Sequence, residues 1–96
     1  MAHLILGTAA LSEDRYDDAL SHYERATHIN PQFAAMHAIR AMTLALAGRA
    51  GEAGPSVART LELDPSFRFG PFTRMFRNPA LAEKWRRGAL LAGLPE

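Results

Sequence analysis

The sequence predicts an all-α protein built as a stack of antiparallel helix pairs. Three observations predict this: the chain repeats itself at an offset of 34 residues, its apolar residues recur at helical spacing, and each unit ends in a helix-stopping Asn-Pro or Asp-Pro. A helix pair of this size cannot bury its apolar face alone, so we expect the units to pack against one another.

The internal repeat consists of seven identical pairs of residues. The pairs are His3/His37, Ile5/Ile39, Arg15/Arg49, Ala19/Ala53, Arg25/Arg59, Pro31/Pro65 and Phe33/Phe67. The 96 residues therefore predict a single domain, 1–96, with repeat 1 at 1–33 and repeat 2 at 34–67. A degenerate half repeat and a capping helix occupy 68–96.

In repeat 1, helical spacing predicts a first helix that ends near Ser12 and a second that begins at about Tyr16. Asn30 ends the second helix, because the residue before a proline is pushed out of the α region. Glu13-Asp14-Arg15 forms the polar turn between the two helices.

In repeat 2, the first helix is expected over 34–47 and the second is expected to end at about Leu63. Pro55 lies early in that second helix, where proline is tolerated only in the first turn. We therefore expect a delayed start or a bend there, with Gly51 and Gly54 loosening the entry.

After Pro65 the repeat frame fails. A short helix is predicted within 67–76, and Asn78-Pro79 provides an N-cap and a first helical residue for a last helix over 78–93. We expect this helix to cover the open end of the stack through Leu81, Trp85 and Ala89. The alternative is that it lines a partner surface.

The amino-acid composition is that of a folded domain and excludes several other classes of protein. Apolar residues make up 48% and charged residues 22%, which is typical of a folded domain. Cysteine is absent, which excludes disulfides and thiolate metal sites. No apolar run approaches the ~18 residues of a membrane span. The net charge of +1 is unevenly distributed along the chain, since residues 1–66 carry a net charge of −3 and residues 67–96 carry +4.

The histidines form no metal motif in the sequence. His3 and His37 occupy equivalent repeat positions, which favours packing or groove roles. His22 and His28 are six residues apart and share no helix face, unlike an i, i+4 zinc pair. We therefore predict no metal site.

No catalytic pattern stands out either. The acids between Glu13 and Asp18 cluster at a helix start, where the helix dipole favours negative charge. Gly48, Gly51 and Gly54 follow no strand and precede no lysine, and there is no Gly-x-Ser-x-Gly elbow. We predict a protein that is not an enzyme and needs no cofactor.

Several of these positions together resemble the tetratricopeptide repeat. Its frame is matched by Leu6-Gly7, Tyr16 to Leu20 and Pro31, and more weakly in the second copy, where Arg40-Ala41 replaces a Leu-Gly pair. The repeat-defining structural residues are Gly7, Ala19, Tyr23, Ala26, Pro31, Ala41, Ala53 and Pro65. The resemblance implies a right-handed stack of about two and a half antiparallel helix pairs, with a concave groove that binds peptides or helices.

The resemblance places the groove on the first helix of each unit. The groove positions are then Leu4, Thr8, Leu11, Ala38, Met42, Ala45, Phe69, Phe72 and Phe76. Leu4, Thr8 and Ile39 stand where related adaptors clamp a peptide carboxylate, so an apolar or amphipathic helical segment is the expected ligand. The alternative is that the last helix fills the groove with Trp85 or Leu81.

The end of the chain is similar to the tail that closes helical-repeat regions of some bacterial class III adenylate/guanylate cyclases and related signalling proteins. This similarity covers residues 77–80 and 88–96. It implies the C-terminal regulatory or assembly part of a larger cytoplasmic protein. No cyclase catalytic segment is present, so the similarity implies no activity.

Two other partners remain open. Self-association would follow if the face around Leu4, Leu6 and Tyr23 lacks a neighbouring unit. Nucleic-acid binding through the Arg/Phe-rich segment 68–77 is the weaker alternative, because Phe69, Phe72 and Phe76 share one helix stripe, which is typical of a core. Steep weakening by salt would distinguish nucleic acid from an apolar ligand.

Overall fold

The computed structural model describes residues 2–75 and 77–96, and among them it contains helices and turns but no strand. The helices are α1 (Ala2–Ser12), α2 (Tyr16–Ile29), α3 (Ala34–Leu46), α4 (Gly54–Leu63), α5 (Phe69–Arg74) and α6 (Pro79–Ala92). The prediction of an all-α fold is confirmed. The side chains of Ala2 and Leu4 lie outside the described part of the chain.

Most predicted helix ends are confirmed. Helix α1 ends at Ser12, α2 begins at Tyr16 and α4 ends at Leu63. The delayed start of α4 is also present, because 50–52 form a short 3-10 turn and Pro55 falls in the first turn of α4. Proline is tolerated there since its missing N–H would have no helical partner in the first turn.

Helix α6 carries the clearest local end signals. The Asn78 side-chain oxygen accepts hydrogen bonds from the backbone N–H groups of Ala80 at 2.9 Å and Leu81 at 3.2 Å. Gly93 ends the helix in the left-handed region, with φ of 85°, which glycine adopts without steric cost. These contacts fix the ends of α6 by local chemistry.

Helix α3 is the centre of the fold. It packs against α2, α4 and α6, and it is buried along most of its length. Its buried residues are Met36, Ala38, Ile39, Ala41, Met42, Thr43, Leu44 and Ala45. The α1–α2 and α3–α4 hairpins therefore share one core.

The hairpin of α1 and α2 closes around an aromatic ring. A Cβ atom added to Gly7 would lie 2.6 Å from Cε1 of Tyr23, so only glycine leaves room for this ring. The Tyr23 ring is fully buried, and its hydroxyl is hydrogen-bonded to the Thr8 hydroxyl at 3.0 Å. The small residue of repeat 1 thus lets α1 approach α2.

A second close approach joins α6 to α3. A Cβ atom added to Gly88 would lie 2.7 Å from the Met42 carbonyl oxygen and 3.0 Å from Cγ of Leu46. Because the first of these atoms belongs to the backbone of α3, a side chain at Gly88 must push the two helices apart.

We predict that Gly88→Ala lowers the free energy of unfolding by about 1–3 kcal/mol, because the new methyl group overpacks the α3–α6 contact. Urea denaturation followed by circular dichroism measures this. Gly51→Ala is the matched control, since its Cβ would meet nothing within 4 Å. Equal stability of the two variants would contradict the predicted role of Gly88.

Candidate interaction surfaces

The residues predicted to line a groove are mostly interior. Leu11, Ala38, Met42, Ala45 and Phe69 are buried, whereas Thr8 and Phe72 are half-buried. The Leu4 side chain and Phe76 lie outside the described residues. At the described positions, the structure therefore has a packed core where an open concave surface was expected.

Helix α6 provides the cover over these positions. Trp85 is fully buried, and its ring centroid lies 6.3 Å from that of Tyr23 and 6.3 Å from that of Phe72. Ala89 is buried and Leu81 is half-buried beside it. The last helix thus packs against α3 and α5, which is the arrangement expected if the chain covers these positions itself.

Lys84 links α6 to the first hairpin through hydrogen bonds. Its ammonium donates hydrogen bonds to the Leu11 carbonyl oxygen at 3.1 Å and to the Asp14 carboxylate. Asp14 also accepts a hydrogen bond from the Tyr16 hydroxyl at 3.0 Å, and these two donors hold the pKa of Asp14 below its ordinary value. A lysine at the last carbonyls of α1 is also favoured by the helix dipole.

An open cleft remains between the α2–α3 turn and α5. We call it the α5 cleft and define it by Phe33, Phe67, Pro71, Phe72 and Met75. Phe67 forms the buried floor, and its ring centroid lies 6.2 Å from that of the half-buried Phe72. Phe33 and Met75 remain 44% and 75% exposed. Exposure of such large apolar side chains to water is unfavourable, and both lie beside a preformed concavity.

The charges around the α5 cleft are unequal. Arg68 lies in its wall, and Arg74 and Arg77 are exposed nearby in the sequence. Among the ion pairs formed by the described residues, none involves these three arginines. The one acid in the wall, Asp64, accepts hydrogen bonds from the backbone N–H and the hydroxyl of Ser66. The lining itself therefore carries one charge of each sign, and the additional positive charge belongs to the neighbouring segment 74–77.

The α5 cleft was not predicted from the sequence. Phe33 was noted there only as the residue of repeat 1 that corresponds to Phe67 in repeat 2. The two phenylalanines differ in burial, because Phe67 is covered by α5 whereas Phe33 is exposed. Both phenylalanines lie two residues after a proline and just before a helix, so their local sequence does not distinguish the exposed ring from the buried one.

A second apolar surface lies on α1. This helix contains no charged residue, yet it packs mainly against α2, which leaves Ile5, Leu6 and Ala9 exposed. The expectation that Tyr23 contributes to this face is wrong. Gly7 makes room for the Tyr23 ring inside the hairpin, so the ring is not available at the surface.

The histidines are distributed over two separate places. His3 and His22 meet across the first hairpin, with 3.4 Å between their Nδ1 atoms, and His37 lies 2.8 Å from the Pro31 carbonyl oxygen. In the described part of the chain, no group of three or more His, Cys, Asp or Glu side chains is placed to hold a metal ion. None of the described helices combines the length and apolar character needed to cross a membrane.

Comparisons with known proteins return no match, whether to a protein family, to a curated protein or to a solved structure. The candidate surfaces are therefore argued from the geometry of this chain.

Burial raises the pKa of Tyr23 from its ordinary value of 10.0 to about 12, and the Thr8 hydrogen bond offsets this slightly. The folded chain holds the phenolic proton of Tyr23 more tightly than the unfolded chain does. The stabilisation that results from protonated Tyr23 is therefore complete below pH 10 and is lost as the pH rises towards 12. We predict that raising the pH from 9 to 11 lowers the free energy of unfolding by about 1 kcal/mol through this group alone.

Urea denaturation at both pH values measures this loss. Tyr23→Phe should remove this share of the pH dependence, whereas Tyr16→Phe, which leaves Tyr23 in place, should retain it. The same pH dependence in the parent chain and in Tyr23→Phe would contradict the assignment.

Proposed function

We propose that this chain is a non-catalytic, tetratricopeptide-like interaction module that binds an apolar or amphipathic helical segment of a protein partner. One observation carries the proposal, namely the α5 cleft with its exposed Phe33 and Met75 on either side of Phe72. Methionine and aromatic side chains adapt to varied apolar ligands, and paired with a concave floor they suit an anchor residue of a partner helix.

The cleft is a better place for a ligand than the predicted groove. Trp85 is already buried in the core beside Tyr23 and Phe72, and Lys84 holds α6 in position. A ligand entering there would have to displace a packed tryptophan, whereas a ligand in the α5 cleft covers side chains that are already exposed.

The charge of segment 68–77 favours an acidic partner. Arg68, Arg74 and Arg77 have no ion-pair partner among the described residues, so carboxylates flanking an apolar anchor would meet complementary charge. Nucleic-acid binding through 68–77 is less well supported, because Phe69 is buried and Phe72 packs against Trp85, which leaves few aromatic faces for bases.

We also propose the setting of the module. The similarity of 77–80 and 88–96 to tails of bacterial cyclase-type proteins supports a C-terminal regulatory or assembly part of a larger cytoplasmic signalling protein. The chain's role there would be to recruit or position a partner, and any chemistry would belong to another domain.

Selection of random 12-residue peptides displayed on phage tests the cleft. We expect enriched peptides to carry an aromatic or aliphatic anchor beside Asp or Glu, and to shift backbone NMR signals of 33–35 and 66–75. Met75→Glu should weaken their binding at least about tenfold, because it places a charge at the apolar contact.

Leu91→Glu is the control, since Leu91 is an exposed leucine on α6 away from the residues that line the cleft. Its affinity for the selected peptides should stay within about twofold of the parent value. Peptides whose binding shifts signals elsewhere, or that bind Met75→Glu as tightly as the parent, would refute the cleft as the binding site.

Self-association is a second candidate, favoured by the exposed face of α1. Ile5, Leu6 and Ala9 form an uncharged surface, so two copies can meet there without repulsion between like charges. The arginine-rich end of the molecule lacks this property.

Light scattering over a range of concentrations tests self-association. If the α1 face pairs, the mass should rise towards that of a dimer, and Leu6→Glu should return it to that of a monomer. Leu90→Glu is the matched control, because Leu6 and Leu90 are each 50% exposed. A parent chain that stays monomeric at millimolar concentration would rule out this candidate.

A further inference from the structure

The first hairpin brings two histidines from different helices into direct contact. His3 of α1 and His22 of α2 are 19 residues apart in the sequence, yet their Nδ1 atoms lie 3.4 Å from each other. Their ring centroids are 5.6 Å apart and their planes are inclined by 30°. Both side chains are half-buried, so packing restricts their movement but solvent can still reach them.

A contact of this kind requires one Nδ1 atom to carry a proton and the other to present its lone pair. The two nitrogens therefore face each other across a single shared proton. Removal of that proton leaves two lone pairs directed into the same space, which is the arrangement that a metal ion requires of two ligands.

We propose that His3 and His22 form a binding site for a borderline divalent metal ion of the zinc type, with one ligand from each helix of the first hairpin. This site is independent of the α5 cleft and of the proposed partner.

The separation of the two nitrogens fits zinc. With Zn–N distances of about 2.0–2.1 Å and a tetrahedral angle, two imidazole nitrogens on one ion lie about 3.4 Å apart. The observed Nδ1–Nδ1 distance is 3.4 Å. An ion could replace the shared proton if each ring turned by about 35° to aim its lone pair off the line that joins the nitrogens.

The surroundings define which ions would bind. His3 lies in a surface depression with Ser21, Glu24, Arg25 and His28. Glu24 is already paired with Arg40, at 3.3 Å, and no third ligand is in place among the described side chains. Water would therefore complete the coordination. Imidazole nitrogens select zinc, cobalt, nickel and copper over magnesium and calcium, which prefer oxygen.

The second repeat provides an internal comparison. At the offset of 34 residues, His3 corresponds to His37 but His22 corresponds to Ser56. Repeat 2 therefore lacks the second imidazole, and His37 instead contacts the Pro31 carbonyl oxygen. The site belongs to repeat 1 alone, and His37 is a natural control for binding by a single histidine.

Binding would have a structural consequence at the end of the molecule. Helix α1 packs mainly against α2, and a metal ion held by His3 and His22 would link these two helices directly. Because the unfolded chain does not hold the two rings together, the ion would stabilise the folded state in proportion to its occupancy.

Zinc titration of the full chain tests the site. A short Gly-Ser extension should precede Met1, so that the terminal amine lies away from His3 and does not compete as a ligand. By isothermal titration calorimetry we expect one Zn²⁺ per chain. His3→Gln and His22→Gln should each weaken binding by roughly tenfold or more, because either change leaves a single ligand.

His37→Gln is the matched control, because His37 lies outside the depression that contains His3, and its affinity should stay within about twofold of the parent value. NMR of the parent protein gives a second readout that requires no substitution. Zinc should shift the Nδ1 signals of His3 and His22 and leave that of His37 unchanged. Melting curves of the parent should move up by roughly 10–20 °C at about 100 times the dissociation constant.

The proposal is overturned if the parent binds no Zn²⁺ at millimolar concentration, or if His3→Gln and His22→Gln bind it as tightly as the parent. It is equally overturned if zinc shifts the imidazole signals of His37 rather than those of His3 and His22. Melting curves without zinc establish whether each variant is folded. None of these outcomes bears on peptide binding at the α5 cleft, so the two proposals succeed or fail separately.

Discussion

The close packing of α6 against α3 is the contact on which the remaining structure depends. Gly88 lets the two helix backbones approach, and Trp85 fills the space that this approach encloses. Without α6, the apolar side of α3 around Met42 would face water, and a large exposed surface of this kind is unfavourable. Lys84 adds a polar attachment at the edge, where it binds the end of α1 and the carboxylate of Asp14.

This packing also decides where another molecule can be recognised. The positions predicted to line a groove are mostly buried, and Trp85 belongs to the same core. Exposed apolar side chains remain at the surface, at Phe33 and Met75 in one place and at Ile5 and Leu6 in another. The first group lies beside Arg68, which forms no ion pair with another described residue, and the second lies on an uncharged helix, so the two surfaces suit different partners.

The histidine pair illustrates why some functional candidates escape sequence analysis. His22 and His28 were compared because they share a helix, and the spacing excluded a metal motif. The relevant neighbour of His22 is His3, on the preceding helix, and only the register of the hairpin brings them together. In that register the Tyr23 ring also packs against the backbone at Gly7, a contact between two helices that no periodicity encodes.

The sequence by itself determined the local structure: the helices, their ends at Ser12 and Leu63, the late start of α4 at Pro55 and the cap at Asn78. These features follow from short-range sterics and hydrogen bonds, which act between residues close in the chain. The tertiary structure alone decided that Trp85 lies beside Tyr23 and Phe72, that Tyr23 is interior and that Phe33 is exposed while Phe67 is not. Those outcomes depend on which helix faces compete for the same buried space, and that competition is settled by shape complementarity between distant segments.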